Sequence, residues 1–186
     1  MSFEPTASRL WKRLTPQERQ SAALHFWHEP PQEVLGTAVA AIVKARRLRP
    51  QVARSLPVEA RARALASVLE PGEPLAASLL VALHLGDRRP LLGAFLDALG
   101  FPHENGVLTE EADARAAPTV DAARGAVRAV LPSFPARDVG VYLNTLWLQD
   151  PERWAALEAA SDAVGPQADG GSLAAPPSSR DGSSSQ

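Results

Sequence analysis

Residues 74–86 of the chain read PLAASLLVALHLG, the most apolar stretch of its length in the sequence. Proline is well tolerated at the first position of a helix and glycine commonly follows the last, so the segment has a natural start and stop. Its aliphatic side chains would lie nearly all around the helix, which is typical of a helix enclosed by other helices. The segment is too short for the roughly 20 residues that span a bilayer. We therefore predict a central buried helix here.

Helix boundary signals continue on both sides of this segment. Thr15 and Glu18 form the pattern of a capping box with proline at the first helical position, which predicts a helix through about His28. Gly100 is placed to end another helix in the left-handed conformation. Further apolar segments with helical spacing occupy residues 31–48, 57–69, 91–99, 120–131, 139–148 and 151–157.

Strand signals are weak by comparison. A turn-rich connection over residues 101–106 is followed by Val107 and Leu108, which could anchor the chain or pair briefly as a strand. We therefore predict an all-α fold of roughly eight short helices, either a compact bundle or a short stack of αα-hairpins.

The chain has 186 residues, among them 17 prolines and 12 glycines. Its length fits one domain with some excess. Residues 165–186 contain a single large apolar residue, Leu173, and cannot bury enough surface to become ordered. We predict a single helical domain over residues 1–164 and a flexible, low-complexity tail over residues 165–186.

Composition excludes several classes of protein. The chain has no cysteine, which removes disulfides and thiolate chemistry. It also has no phosphate-binding loop, nucleophile elbow or dinucleotide-binding fingerprint, so we predict a non-enzyme without a cofactor. Only Lys12 and Lys44 are lysine among 19 basic residues, a bias typical of GC-rich bacterial genomes. With no export signal and no membrane-spanning segment, we predict a cytoplasmic bacterial protein that does not bind membranes.

One segment of the chain is strongly basic, although the whole chain carries a net charge of −2. Seven basic residues stand against Glu59 alone: Lys44, Arg46, Arg47, Arg49, Arg54, Arg61 and Arg63. Such a cluster can bind an acidic protein surface, nucleic-acid phosphates or the chain's own acidic residues after position 150. The segment lacks the interleaved aromatic residues and the helix spacing of nucleic-acid-binding motifs.

We therefore predict a non-catalytic protein–protein interaction or adaptor module, with nucleic-acid binding through the same arginines as the alternative. The identity of the protein partner and the oligomeric state are left open.

The histidines provide a third hypothesis. His25 and His28 lie three residues apart near a predicted helix end, and His84 and Asp87 have the same spacing. If these ends meet, the four side chains could bind a divalent metal ion. The helical motifs of di-iron proteins and zinc proteases are absent, and histidine near a helix C-terminus is favoured by the helix dipole alone.

Some polar and aromatic residues are expected to have structural roles. Asp87 is placed to cap the following helix, and Arg88 and Arg89 are then expected to be exposed, pairing with Glu104 or an external acid. Tyr142 and Asn144 lie in an apolar helix, where hydrogen-bonded core groups are expected. The four tryptophans, near the two ends of the folded region, are expected to close the core where its first and last helices meet.

Overall fold

The computed structural model describes residues 4–164, apart from the side chains of Asp113 and Ala163. This part of the chain forms eleven α-helices, one 3₁₀ helix and one two-stranded hairpin. The helices are α1 (Ala7–Arg13), α2 (Pro16–His28), α3 (Gln32–Arg46), α4 (Pro50–Ser55), α5 (Val58–Ala66), α6 (Glu73–Asp87), α7 (Arg89–Leu99), α8 (Glu110–Asp113), α9 (Val120–Val130), α10 (Ala136–Gln149) and α11 (Ala155–Ala160). The strands are β1 (His103–Glu104) and β2 (Val107–Leu108), and the 3₁₀ helix is Ser161–Val164.

The prediction of a compact all-α fold is confirmed, but the number of helices is higher than predicted. The additional helices α1, α4 and α8 are short, with seven, six and four residues. A helix of one or two turns shows too few apolar repeats to be recognised by spacing. The predicted tail, residues 165–186, lies outside the described residues, and the single domain over residues 1–164 stays a prediction.

Helix α6 lies at the centre of the fold, as its sequence predicts. It packs against α1, α2, α3, α7 and α10. Five of its apolar residues are buried together with one polar residue, His84. The hydrophobic effect on this aliphatic surface therefore holds five neighbouring helices to a common element.

Helix α2 begins with the predicted capping box. The Thr15 hydroxyl accepts from the Glu18 amide at 3.2 Å, and the Glu18 carboxylate accepts from the Thr15 amide at 2.7 Å. The helix then packs its buried residues, Phe26 and Trp27 among them, mainly against α5 and α6 rather than α3. The fold is accordingly a compact bundle, in which α2 packs on helices further along the chain rather than on the helix that follows it.

The buried side chains form two hydrophobic clusters that meet at α10. The first cluster is built mainly from α1 to α6, and the second from α7 to the 3₁₀ helix. Helix α10 contributes Val141 to the first cluster and Leu143 to the second. Trp11 and Trp27 belong to the first cluster, whereas Trp154 belongs to the second, with Trp147 packed against it. The expectation that the tryptophans close one common core is therefore wrong.

The hairpin β1–β2 adopts the tightest turn that joins two antiparallel strands. Glu104 pairs with Val107, and the two connecting residues, Asn105 and Gly106, have φ values of 50° and 82°. Both values lie in the left-handed region that a type I′ turn requires, for which Asn-Gly is the favoured pair. Gly106 also packs closely on α7, because a Cβ atom added to it would lie 2.5 Å from Leu92 Cβ.

Replacing Gly106 by alanine is expected to lower the free energy of unfolding by about 2–3 kcal/mol, since backbone strain and overpacking both contribute. Gly100→Ala is the matched control, because Gly100 has a φ of 70° but no atom within 4 Å of an added Cβ. This control is expected to show the strain alone, about 1 kcal/mol. Urea unfolding of both variants measures the difference, and equal losses would show that Gly106 does not pack on α7 as described.

Candidate functional site

Six of the seven basic residues between positions 44 and 63 are exposed and lie on three helices that pack together. We call these residues the cationic surface: Lys44, Arg46, Arg47, Arg49, Arg54 and Arg63. They occupy the C-terminal end of α3, the connection to α4, the last turn of α4 and the last turn of α5. Helix α3 contacts both α4 and α5. The basic run of the sequence is therefore folded onto one group of neighbouring helices.

The turn between α3 and α4 places several of these cations. Arg47 is the C-cap of α3, directly after its last residue, Arg46. It adopts the left-handed conformation with a φ of 52° and donates its backbone N–H to the Val43 carbonyl. Two residues later Arg49 is the residue before α4, and Pro50 occupies the first helical position. The left-handed residue that ends α3 and the proline that begins α4 are only three positions apart. Together they allow the chain to change direction within a few residues.

The cationic surface carries uncompensated positive charge. None of its six residues forms an ion pair within residues 4–164, and Glu59 forms none either. By contrast, Lys12, which is not one of the six, pairs with Glu70 at 3.3 Å. Arg49 precedes α4 at the positive end of its dipole, where a cation is unfavourable for the helix. Unpaired charges of one sign attract an acidic partner.

Arg61, the seventh predicted residue, does not belong to the cationic surface. It is half-buried, and its guanidinium carbon lies 4.5 Å from the centroid of the Trp27 ring. Cation–π contacts at this distance stabilise packing, here of α5 against α2. Arg61 therefore has a structural contact within the fold, and its part in binding a partner stays a prediction.

An open groove adjoins the cationic surface at Lys44. The groove has a volume of about 800 Å³ and lies between α3 and the connection from α5 to α6. Small apolar residues of α3 form one wall, and Val68 and Leu69 contribute to the other. Leu69 is 43% exposed, unusual for so large an aliphatic side chain in this fold. Lys12 and Lys44, the two lysines of the chain, both line the groove together with Glu70, which pairs with Lys12 and leaves Lys44 as the unpaired charge among the described residues. Sequence reasoning missed the groove, because its walls come from segments more than 20 residues apart in the chain.

The structure brings together only part of the predicted metal-ligand set. His25 Nε2 lies 2.8 Å from an Asp87 carboxylate oxygen, and His25 and His28 line the same pocket. His84 is buried elsewhere, with Nε2 3.1 Å from the Thr145 hydroxyl. In the part of the chain that the structure describes, no group of three or more His, Asp or Glu side chains could hold a metal ion. The four residues therefore do not converge on one site.

The cap position before α7 also differs from expectation. Asp87 is the last residue of α6 and binds His25, while Arg88 occupies the N-cap position without a side-chain cap bond. The side chain of Arg88 is 10% exposed and pairs with Glu18 and Asp138, at 2.6 and 2.8 Å. The expectation of an exposed Arg88 paired with Glu104 or an external acid is therefore wrong.

Glu18 is the centre of this ion-pair network. Arg137 donates two hydrogen bonds to its two carboxylate oxygens, at 2.6 and 2.7 Å. Burial raises the pKa of Glu18, but the hydrogen bonds from Arg137 and Thr15 outweigh that effect and lower the pKa to about 2. The same bond to Glu18 raises the pKa of Arg137. The network fastens α2 to the starts of α7 and α10, a structural role rather than a binding site.

A second polar group lies at the junction of α6 and α10. Burial, with a smaller contribution from the charge of Arg88, lowers the pKa of His84 to about 3. The Thr145 hydroxyl near its Nε2 donates to the Val141 carbonyl at 2.8 Å. Burial also raises the pKa of Tyr142, whose ring lies 5.3 Å from that of His84. Asn144 is fully buried, and neither atom of its amide has a hydrogen-bond partner among the described residues. The expectation of a hydrogen-bonded Asn144 is therefore wrong.

The fold and the site define an all-α protein with an exposed cationic surface beside an apolar groove. No protein-family model, no curated protein and no solved structure matches the chain. None of the helices within residues 4–164 has both the length and the apolar character required to cross a membrane. The basis for a proposed function is therefore the cationic surface and the adjoining groove.

Proposed function

We propose that this protein is a non-catalytic interaction module that binds an acidic segment of a partner protein on the cationic surface and in the adjoining groove. The observation that carries this proposal is the set of six exposed basic residues on α3, α4 and α5 that form no ion pair within residues 4–164. Arg88 and Arg137, by contrast, are less exposed and pair with carboxylates of the chain itself. Arginine is also enriched at protein interfaces, where its planar group pairs with carboxylates in bidentate geometry.

The groove favours a protein partner over nucleic acid. Its walls are mainly aliphatic, and Leu69 is exposed beside the cations. A segment that combines acidic and apolar residues would satisfy both features. The large exposed hydrophobic residues among those described are Val52, Leu69 and Val107, so no exposed aromatic ring is available for stacking on bases. Nucleic-acid binding remains the alternative that the experiment below distinguishes.

The cellular setting is part of the same proposal. The bias for arginine over lysine, typical of GC-rich genomes, supports a bacterial protein, and a cytoplasmic location is proposed with it. In that setting the partner would be a cytoplasmic protein with an acidic segment. No observation within residues 4–164 favours the metal-binding alternative, since the predicted ligands do not converge.

Combined replacement of Arg46, Arg47 and Arg49 by alanine is expected to abolish capture of this partner. The full chain, immobilised and exposed to nuclease-treated bacterial lysate, should retain an acidic protein that mass spectrometry identifies. Because the three side chains are exposed, the variant should keep the stability of the unmodified chain within about 0.5 kcal/mol.

The matched control replaces three exposed arginines on other elements, Arg9, Arg115 and Arg128, and removes the same total charge. This control is expected to capture the partner normally. Equal loss of capture in both variants would show that net charge alone drives binding, and normal capture by the Arg46, Arg47 and Arg49 variant would show that this surface is not used; either result contradicts the proposal. Capture by the unmodified chain from untreated lysate that is lost in nuclease-treated lysate would establish the nucleic-acid alternative instead.

A further inference from the structure

The segment from the β1–β2 hairpin through α8 combines acidic residues with an exposed apolar residue. Residues 104–114 contain four acidic residues and neither lysine nor arginine. Val107, within this segment, is 46% exposed. A partner of the cationic surface and its groove would need the same combination of charge and apolar surface. The chain therefore carries on itself a segment of the kind that its own cationic surface is proposed to bind.

Four exposed glutamates surround this segment, and we call them the anionic surface: Glu104, Glu110, Glu111 and Glu152. One of them belongs to β1 and two begin α8, which contacts β2. The fourth, Glu152, precedes Arg153, whose Nη2 donates to the Ala112 carbonyl of α8 at 2.6 Å. This hydrogen bond holds the connection from α10 to α11 against α8. The four carboxylates therefore lie on neighbouring elements.

The anionic surface, like the cationic surface, carries charge that is not compensated within the described part of the chain. None of the four glutamates forms an ion pair with a described side chain, and neither does Arg115, the next basic residue after the segment. The two surfaces also lie in different parts of the fold. Helices α3, α4 and α5 contribute to the first hydrophobic cluster, whereas Leu108 of the hairpin and Ala112 of α8 pack in the second.

We propose that the anionic surface of one copy of this chain docks on the cationic surface of a second copy. This proposal rests on the proposed function, since it uses the same surface and names a second copy as a partner. Charge complementarity selects this occupant, because opposite charges that are unpaired within one chain attract each other between two chains. Docking also brings two of the exposed aliphatic side chains, Val107 and Leu69, to one interface. Because the two surfaces are different, each copy can offer one of them to each of two neighbours.

The exposed charges determine how the association depends on salt. Pairs of exposed charges contribute little each and are screened by ions, so the association is expected to be reversible and sensitive to salt. Sedimentation equilibrium of the purified full chain at about 50 mM salt should give an average mass that rises with concentration above that of one chain. At about 500 mM salt the chain should be a monomer.

Two triple variants test which surfaces meet. The arginine variant replaces Arg46, Arg47 and Arg49 by alanine. The glutamate variant replaces Glu104, Glu110 and Glu111 by glutamine. Each variant alone is expected to associate at least ten-fold more weakly than the unmodified chain. An equimolar mixture is expected to form a complex of two chains, because the first variant keeps the anionic surface and the second keeps the cationic surface.

A matched control replaces three exposed acidic residues on other elements by their amides: Glu29, Asp121 and Glu158. This control should associate like the unmodified chain. All the substituted side chains are exposed, so the variants are expected to fold, which circular dichroism checks. A monomeric unmodified chain at about 50 mM salt, unchanged association of either triple variant, or no complex in the mixture would overturn the proposal.

Failure of this proposal and failure of the proposed function give different results. A monomeric chain that captures an acidic protein from lysate only when the three arginines are present overturns this proposal alone. Normal capture from lysate by the arginine variant overturns the proposed function.

Discussion

Replacement of Glu18 by alanine is expected to lower the free energy of unfolding by about 2–4 kcal/mol, less than for a fully buried ion pair because this network is part-buried. The variant loses the capping box of α2 and both hydrogen bonds from Arg137. It also leaves Arg88, 10% exposed at its side chain, with Asp138 as its remaining ion-pair partner. Urea unfolding at neutral pH measures the loss.

Glu70→Gln is the control for this prediction. Glu70 pairs with Lys12, but both side chains are mostly exposed, so its loss is expected to cost less than about 1 kcal/mol. Similar losses for the two variants would show that the Glu18 network does not hold α2, α7 and α10 together.

The same network predicts a loss of stability in acid. The ordinary pKa of Glu18 is 4.5, and the folded chain lowers this pKa to about 2. The carboxylate therefore contributes fully above pH 4.5, and its contribution is lost as the pH falls towards 2. The acid-dependent loss below pH 4.5 should be smaller in Glu18→Ala than in the unmodified chain.

Acidification from pH 6.5 to 4.5 is expected to destabilise the protein through His84, by about 1.4 kcal/mol per pH unit. The unfolded chain takes up the proton near the ordinary pKa of 6.5, whereas burial lowers the pKa in the folded chain to about 3. Stability is therefore greatest above pH 6.5 and falls as the pH approaches 3. The part of this window between pH 6.5 and 4.5 lies above that of Glu18, so the two effects are separable there.

The variant His84→Gln tests the assignment. Glutamine can still donate to Thr145 but does not titrate, so the variant should lose this part of the pH dependence. Urea unfolding at pH 7.0, 6.0, 5.0 and 4.5 for both proteins gives the two slopes. The same slope in both would show that His84 is not the group that titrates.

The parts of the fold that follow from local signals could be predicted from the sequence. The Thr15–Glu18 capping box starts α2, Gly100 ends α7 in the left-handed conformation, and the aliphatic segment of α6 is buried at the centre. Each depends on residues within a few positions of one another. The short helices α1, α4 and α8 lack enough turns to show a repeat.

The residues of the candidate sites also fall into two groups: those that could be predicted from neighbouring sequence and those that depend on contacts with distant residues. The six exposed cations come from one continuous run, so the sequence predicts them together. Arg61 and Arg88 depend on distant partners: Arg61 stacks on Trp27, and Arg88 pairs with Glu18, 70 residues earlier in the chain. No local pattern reports such a contact.

The most direct test of the cationic surface is the affinity of the captured partner at two salt concentrations. At about 50 mM salt, the triple variant of Arg46, Arg47 and Arg49 is expected to bind at least ten-fold more weakly than the unmodified chain. At about 500 mM salt the two affinities should converge, because salt screens exposed charges. Equal affinities of the two proteins at low salt would contradict the proposal that this surface binds the partner.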